Sequence, residues 1–200
     1  MKKITSSTIL ALALATTTIE AGSWYIGTNI GLINFGGEVE VENDYTTYKS
    51  TKDVDSSPFM LKFGYQKNND NRTEFYLKKD NIEIVGELFK TSTIGFNYEW
   101  GLSSMSKESI LPYISLGIGV GNSSSKYLAY DDGTVIELAL SGGVHYRINK
   151  NIDTTVGLFR RALVNSVSDV ATYSYYGYES TDYLTTAVTN GIEVGISYHF

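Results

Sequence analysis

The 200 residues carry 16 Lys and Arg against 22 Asp and Glu, a formal net charge of −6, with 42% hydrophobic residues and no Cys. This length and balance fit one folded domain and exclude a disordered tail. The lack of Cys excludes disulfides, thiolate metal sites and a Cys nucleophile, and the acidic charge argues against a nucleic-acid partner.

At the N-terminus, Lys2 and Lys3 precede an apolar run from Ile9 to Ala15, and Ala21 offers a small residue before Gly22. That is the pattern of a secretory signal peptide over residues 1–21, which leaves 22–200 as a single domain. Residues 1–21 hold two Lys and one Glu, so their removal takes the charge from −6 to −7. No later stretch reaches the roughly 18 apolar residues of a membrane-spanning helix. Secreted, periplasmic and outer-membrane β-barrel readings stay open.

From Trp24 onward the sequence alternates with a period of two. Trp24, Ile26, Thr28, Ile30 and Leu32 share one face, and Tyr25, Gly27, Asn29 and Gly31 the other, as in a strand with one apolar side. The beat returns in Phe59-Leu61-Phe63-Tyr65, in the weaker 72–79 (Phe75, Leu77) and in Ile94-Phe96-Tyr98-Trp100. It continues in Ile114-Leu116-Ile118-Val120, Leu138-Leu140-Gly142-Val144-Tyr146, the weaker 152–161 (Val156, Leu158) and Ile192-Val194-Ile196-Tyr198-Phe200. Eight antiparallel strands are expected.

A soluble sandwich wets its second face with long charged side chains. Here that face is mostly Gly, Ser, Asn and Thr, which suits the crowded inside of a narrow eight-stranded barrel whose aliphatic face meets lipid. Closure is required, because an open edge in hydrocarbon leaves a row of unpaired backbone groups. Expected connections are 37–57, 68–71, 80–87, 101–110, 123–134, 149–151 and 162–183, with the first, third, fifth and seventh long. Transmembrane barrels put short turns in the periplasm, so both termini are expected there.

Trp24, Tyr25, Tyr65, Tyr98, Trp100, Tyr146, Tyr198 and Phe200 fall near the periplasmic strand ends, where amphipathic rings form a girdle at the headgroup boundary. Tyr127, Tyr130, Tyr173, Tyr175, Tyr176, Tyr178 and Tyr183 fall on or near long loops, as an upper girdle or a binding surface. Parity directs Lys62, Lys78, Arg147 and Arg161 into the lumen with Glu74, Glu99, Glu137, Asp153 and Glu193. This near balance suggests a paired ionic plug, since buried charges persist when paired; a selective pore needs a wider lumen of one sign. The first loop, Glu38 to Asp55, carries a net −4 and reads as a solvated, repelling segment.

The chain ends Glu193-Val194-Gly195-Ile196-Ser197-Tyr198-His199-Phe200, and Gly195, Tyr198 and Phe200 match the terminal pattern of bacterial outer-membrane barrels. With the segment Pro112 to Gly119 and the leader, the chain resembles the small eight-stranded OmpA/OmpX-like and opacity-protein-like family over its whole mature length. The resemblance implies an eight-stranded up-and-down transmembrane barrel in the outer membrane, assembled by the barrel assembly machinery that reads the terminal segment. It also implies contact with outer-membrane lipid and lipopolysaccharide. Nothing resembling the periplasmic peptidoglycan-binding domain of some relatives follows the barrel.

Some small barrels of this kind resemble lipid A deacylases or surface proteases. The deacylase pattern, His-x-Ser with a carboxylate, is absent, because His145 is followed by Tyr146 and Arg147 and His199 by the last residue. The protease pattern needs Asp-x-His at the outer rim, and both His fall at periplasmic ends. Gly117-x-Gly119-x-Gly121 lies within a strand and carries no nucleotide role. The expectation is a non-catalytic, cofactor-free, monomeric barrel with a structural or adhesive role through loops at 37–57 and 162–183. A narrow passive pore is the alternative, followed by a lipid-modifying enzyme with an unconventional site.

Overall fold

The computed structural model describes residues 22–43, 47–50, 54–67, 71–84, 87–102, 109–125, 133–174 and 177–200. Ten strands run through them: β1 Gly22–Asn43, β2 Thr47–Ser50, β3 Val54–Ser56, β4 Phe59–Lys67, β5 Asn71–Ile84, β6 Glu87–Gly101, β7 Ile110–Ser125, β8 Gly133–Arg147, β9 Ile152–Ser174 and β10 Gly177–His199. β1 and β4 to β10 pair in sequence order, all antiparallel, and β10 pairs with β1 to close the sheet. The result is a closed eight-stranded up-and-down barrel with two short additions: β2 folds back on β1, and β3 lies along β5. Closure leaves no barrel edge, as the backbone of a strand in hydrocarbon requires.

The register fixes the strand tilt. A row of paired residues starting at Tyr25 passes through Gly64, Glu74, Asn97, Gly117, Ala139, Arg161 and Thr189 and meets β1 again at Gly37, twelve residues further on. That offset is the stagger that tilts strands about the barrel axis. Two irregularities in the β1–β10 pairing, at Gly31/Ile33 and Asn34/Gly37, contribute to it. Gly36 sits there at φ 89°, in the left-handed region that a side chain makes costly. The same distortion turns Phe35 outward, 61% exposed, although odd positions before and after it point inward.

The start of β1 and the end of β10 lie at one end of the barrel, called the foot. The Phe200 N–H donates to the Trp24 carbonyl (3.0 Å) and that of His199 to the Asn151 carbonyl (2.7 Å). The 149–151 turn is held by Asn149, whose side-chain oxygen accepts from the N–H groups of Asn151 and Ile152, both at 2.9 Å. This is the local backbone capture that makes Asn a turn residue.

The far end departs from expectation. Segments 37–57, 80–87 and 162–183, expected as long loops, are mostly β-structure. β5 and β6 pair up to Ile84↔Glu87, β9 and β10 up to Ser174↔Gly177, and β1 continues beside β10 to Asn43↔Tyr183. Segment 123–134 is likewise shortened by β7 and β8. The aliphatic alternation stops where lipid contact would stop, but backbone pairing needs only extended conformation and continues with polar outward residues such as Asn81 and Glu83. Residues 1–21, where the leader is expected, lie outside the described residues.

Glu38, Glu40 and Glu42 of the acidic first segment stand in β1, Lys49 in β2 and Asp55 in β3, while Asp44, Lys52 and Asp53 lie outside the described residues. Tyr173, Tyr178 and Tyr183 stand in β9 and β10; Tyr127, Tyr130, Tyr175 and Tyr176 lie outside the described residues.

Candidate functional site in the barrel lumen

Alternation separates two chemically distinct faces. Outward residues are aliphatic and exposed, as at Leu138 (55%) and Leu158 (60%), while inward residues are buried and largely polar. This inverts a soluble protein, whose large apolar groups turn inward. Eight of the nine charged residues directed inward above, Lys62, Lys78, Arg161, Glu74, Glu99, Glu137, Asp153 and Glu193, are at most 5% exposed. Arg147, the ninth, is half-exposed at the foot of β8, where the strand ends before the column of buried charge begins.

Three groups of ionised side chains stack along the axis. Nearest the foot, Arg72 bonds Asp153 (2.6 Å) and lies 3.6 Å from Glu99. Arg72 and Thr155 both reach His145 Nδ1, at 3.3 and 2.9 Å. Arg has only donors, so Nδ1 accepts and Nε2–H donates to Glu99 (2.6 Å). His199 joins through Asp153 (2.8 Å) and Ser23 (3.2 Å). Tyr113 stacks on His145 at 4.5 Å, and Arg72 lies 5.2 Å over the Tyr25 ring.

Further along, Glu74 accepts from Lys62 (3.0 Å), Tyr25 (2.7 Å) and Asn97 (2.9 Å), so one carboxylate draws together four strands. Arg161 donates to Glu193 (2.7 Å) and lies 3.9 Å over the Phe159 ring. The space between Asn29, Lys62, Glu74, Arg161 and Glu193 is about 30 Å³, room for a water or two. The third group pairs Lys78 with Glu137, which also accepts from Tyr76 (3.1 Å). Asp80 nearby accepts from Ser56 of β3 at 2.9 and 3.0 Å.

Above these groups the lumen turns apolar. Val39, Ile82, Val135, Leu163 and Ala187 form one buried cluster, with Phe89 packed against it. A column of paired charge thus ends under an apolar cap. Val39, Ile82 and Leu163 of the cap sit on strand extensions past the outward aliphatic belt, where no outward alternation advertised them.

Parity carried the signal for Arg72, Asp80, His145 and His199, all buried and inward and none anticipated as a lumen charge. Tyr25 is a correction. Expected in the girdle, it is fully buried in the lumen, because its odd position in β1 points inward and Gly64 leaves the space its ring fills. Trp24, Tyr65, Tyr98, Trp100, Tyr146, Tyr198 and Phe200 do stand on outward positions near the foot, with Trp24–Tyr65 centroids at 5.1 Å and Tyr98–Trp100 at 4.8 Å. Gly195, of the terminal pattern, faces Asn29 across the closing β1–β10 pair. Among the described residues, no group of three His, Asp or Glu could hold a metal ion.

Tyr76 lies over Gly95 so closely that a Cβ there would overlap the ring. Gly95→Val is expected to cost about 1–3 kcal/mol through overpacking, read as a lower urea midpoint for loss of the folded gel band.

No protein-family model matches the sequence, and no curated protein matches it. Solved structures do. The outer membrane protein OprG from Pseudomonas aeruginosa superposes with a TM-score of 0.55 at 12% identity, covering 90% of this chain and 97% of that one. The chain has the fold of a small eight-stranded outer-membrane barrel. Neisserial surface protein A aligns at 15% identity over 90% of this chain and all of that one, with a TM-score of 0.48. Ail, the attachment invasion locus protein of Yersinia pestis, aligns at 15% identity over the same shares, with a TM-score of 0.41.

Proposed function

We propose that this chain is a monomeric, non-catalytic outer-membrane barrel with a filled lumen, acting as a structural or surface-interaction protein through its far-end strand extensions. The observation that carries this reading is the pairing of an exposed aliphatic outer surface with a lumen occupied by bonded charges beneath an apolar cap. An ion crossing such a lumen would have to break salt bridges and then shed its water to pass an apolar constriction, the arrangement that closes channels. Catalysis would need a polar cleft open to substrate, whereas the His and carboxylate groups here are spent on one another.

The foot, with its aromatic ring and tight Asn turn, faces the periplasm in this reading, and the extensions of β1, β9 and β10 project outside. The terminal strand bearing Gly195, Tyr198 and Phe200 presents the assembly machinery with its signal. The outward surface contacts lipid and lipopolysaccharide, and the projecting strands meet an extracellular ligand or matrix.

Purified protein refolded in detergent is expected to run at different gel mobilities before and after boiling and to give no steady conductance steps in planar bilayers. Steady steps from the folded band would overturn the filled-lumen reading in favour of a narrow passive pore. Deleting the 167–181 extension is expected to leave the mobility shift intact and to abolish binding of expressing cells to matrix; unchanged binding would remove the adhesive role.

A further inference from the structure

On the outer surface of β5, β6, β7 and β8 the change from aliphatic to polar falls on one register row. Leu77, Ile94, Val120 and Ile136 pair in one row, and two residues toward the far end Lys79, Ser92, Asn122 and Thr134 pair in the next outward row. Beyond it, Asn81 pairs with Lys90 and Lys90 with Ser124. Lys79, Asn81, Lys90, Ser92, Asn122 and Ser124 are all exposed and line one concavity of about 320 Å³. Asp80, between Lys79 and Asn81, points inward, buried and bonded to Ser56, and so leaves the concavity without its charge. Neither Lys79 nor Lys90 forms an ion pair with a described residue.

We propose that this concavity is a binding site for the phosphate-bearing headgroup of an anionic membrane lipid, whose acyl chains lie on Leu77, Ile94 and Val120 directly beneath. The inference rests on the membrane reading above and adds to it a defined lipid site. Three features of the row select this occupant. Two ammonium groups, with the Asp80 carboxylate turned inward onto Ser56 and Glu83 one outward position beyond Asn81, supply the charge that attracts a phosphate at a membrane surface. Asn and Ser side chains supply neutral donors around it. The apolar surface is continuous with the concavity, so a free phosphate would use only half the site, whereas a lipid would use both halves. Headgroup depth is also where Lys stems lie along apolar surface with their charges in water.

The test is native mass spectrometry of the folded full chain released from detergent in the presence of dioleoylphosphatidylglycerol or dioleoylphosphatidylcholine. Wild type is expected to retain phosphatidylglycerol in preference. The Lys79→Gln, Lys90→Gln double variant is expected to bind it about tenfold more weakly, and the Lys79→Arg, Lys90→Arg variant to keep it. Excess inorganic phosphate is expected to leave the lipid adduct in place; displacement by phosphate alone would show a free-anion site and overturn the lipid proposal. Equal retention of the two lipids, or of phosphatidylglycerol by wild type and the double Gln variant, overturns it as well. A heat-modifiable band without lipid preference sinks this site but keeps the barrel reading, whereas a chain that stays soluble without detergent sinks both.

Discussion

Arg72→Ala is expected to destabilise the barrel by about 3–5 kcal/mol, among the largest single effects in the lumen. The guanidinium lies between Asp153 and Glu99 and donates to the acceptor nitrogen of His145. Its removal leaves two buried carboxylates facing each other across the foot without a cation, and an uncompensated buried charge costs far more than the net worth of the pair that held it. By the same argument, Lys78→Met alone strands Glu137, whereas Lys78→Met with Glu137→Leu removes both charges and is expected to restore most of the stability. The measurement is equilibrium unfolding in urea, followed by the heat-modifiable band and by tryptophan emission. If Arg72→Ala unfolds at the wild-type midpoint, the ionic column contributes nothing and the filled-lumen account fails with it.

The inward column shows what alternation can reveal and where it stops. Lys62, Glu74, Glu99, Arg161 and Glu193 could be placed inside from parity alone, because a period of two gives each strand residue only two directions. Their partners could not. Glu74 meets Tyr25 across two interstrand steps and Arg72 meets Asp153 from the other side of the barrel, relations set by a twelve-residue stagger that no single strand records. The β1 distortion is equally invisible to a counting rule. The irregularity between Gly31 and Ile33 shifts parity ahead of Phe35, and the one between Asn34 and Gly37, with Gly36 in a left-handed conformation, restores it.

Strand ends failed for a different reason. The sequence marks where the outward aliphatic alternation ends, at Leu77 and Val120, and hydrogen bonding does not end there. Val39, Ile82 and Leu163 belong to the extended portions, and with Val135 and Ala187 they form the cap over the charged column. Their placement divides the lumen into a polar section behind the aliphatic belt and an apolar section beyond it. The far-end strands thereby gain a small core of their own, which holds the projecting β1, β9 and β10 segments together without contact to lipid.

The second large effect concerns the outer face. Leu116 and Ile118 stand outward on β7, each 53% exposed, with Leu140 and Leu138 beside them on β8. If this surface faces hydrocarbon, Leu116→Arg is expected to cost about 2–4 kcal/mol and Thr134→Arg, past the aliphatic boundary, about 0–1 kcal/mol, because the penalty for a cation on a barrel's lipid face falls off toward the interfaces. If the same surface faced water, both substitutions would lie within about 0.5 kcal/mol of wild type, as ordinary exposed positions do. Arg160 provides an internal reference. It is exposed and pairs in register with Leu140 on one side and Asn190 on the other, a native cation on the outer face whose long stem can carry its charge along apolar surface toward water. The scan should therefore rise from Thr134 to a maximum at Leu116 and fall again toward Ile110 at the foot, measured as urea midpoints in phospholipid vesicles. A flat profile would mean that the aliphatic belt meets something other than lipid, and a steep one with its peak displaced toward Thr134 would place the bilayer further along the strand extensions than the Leu77 to Ile136 row implies.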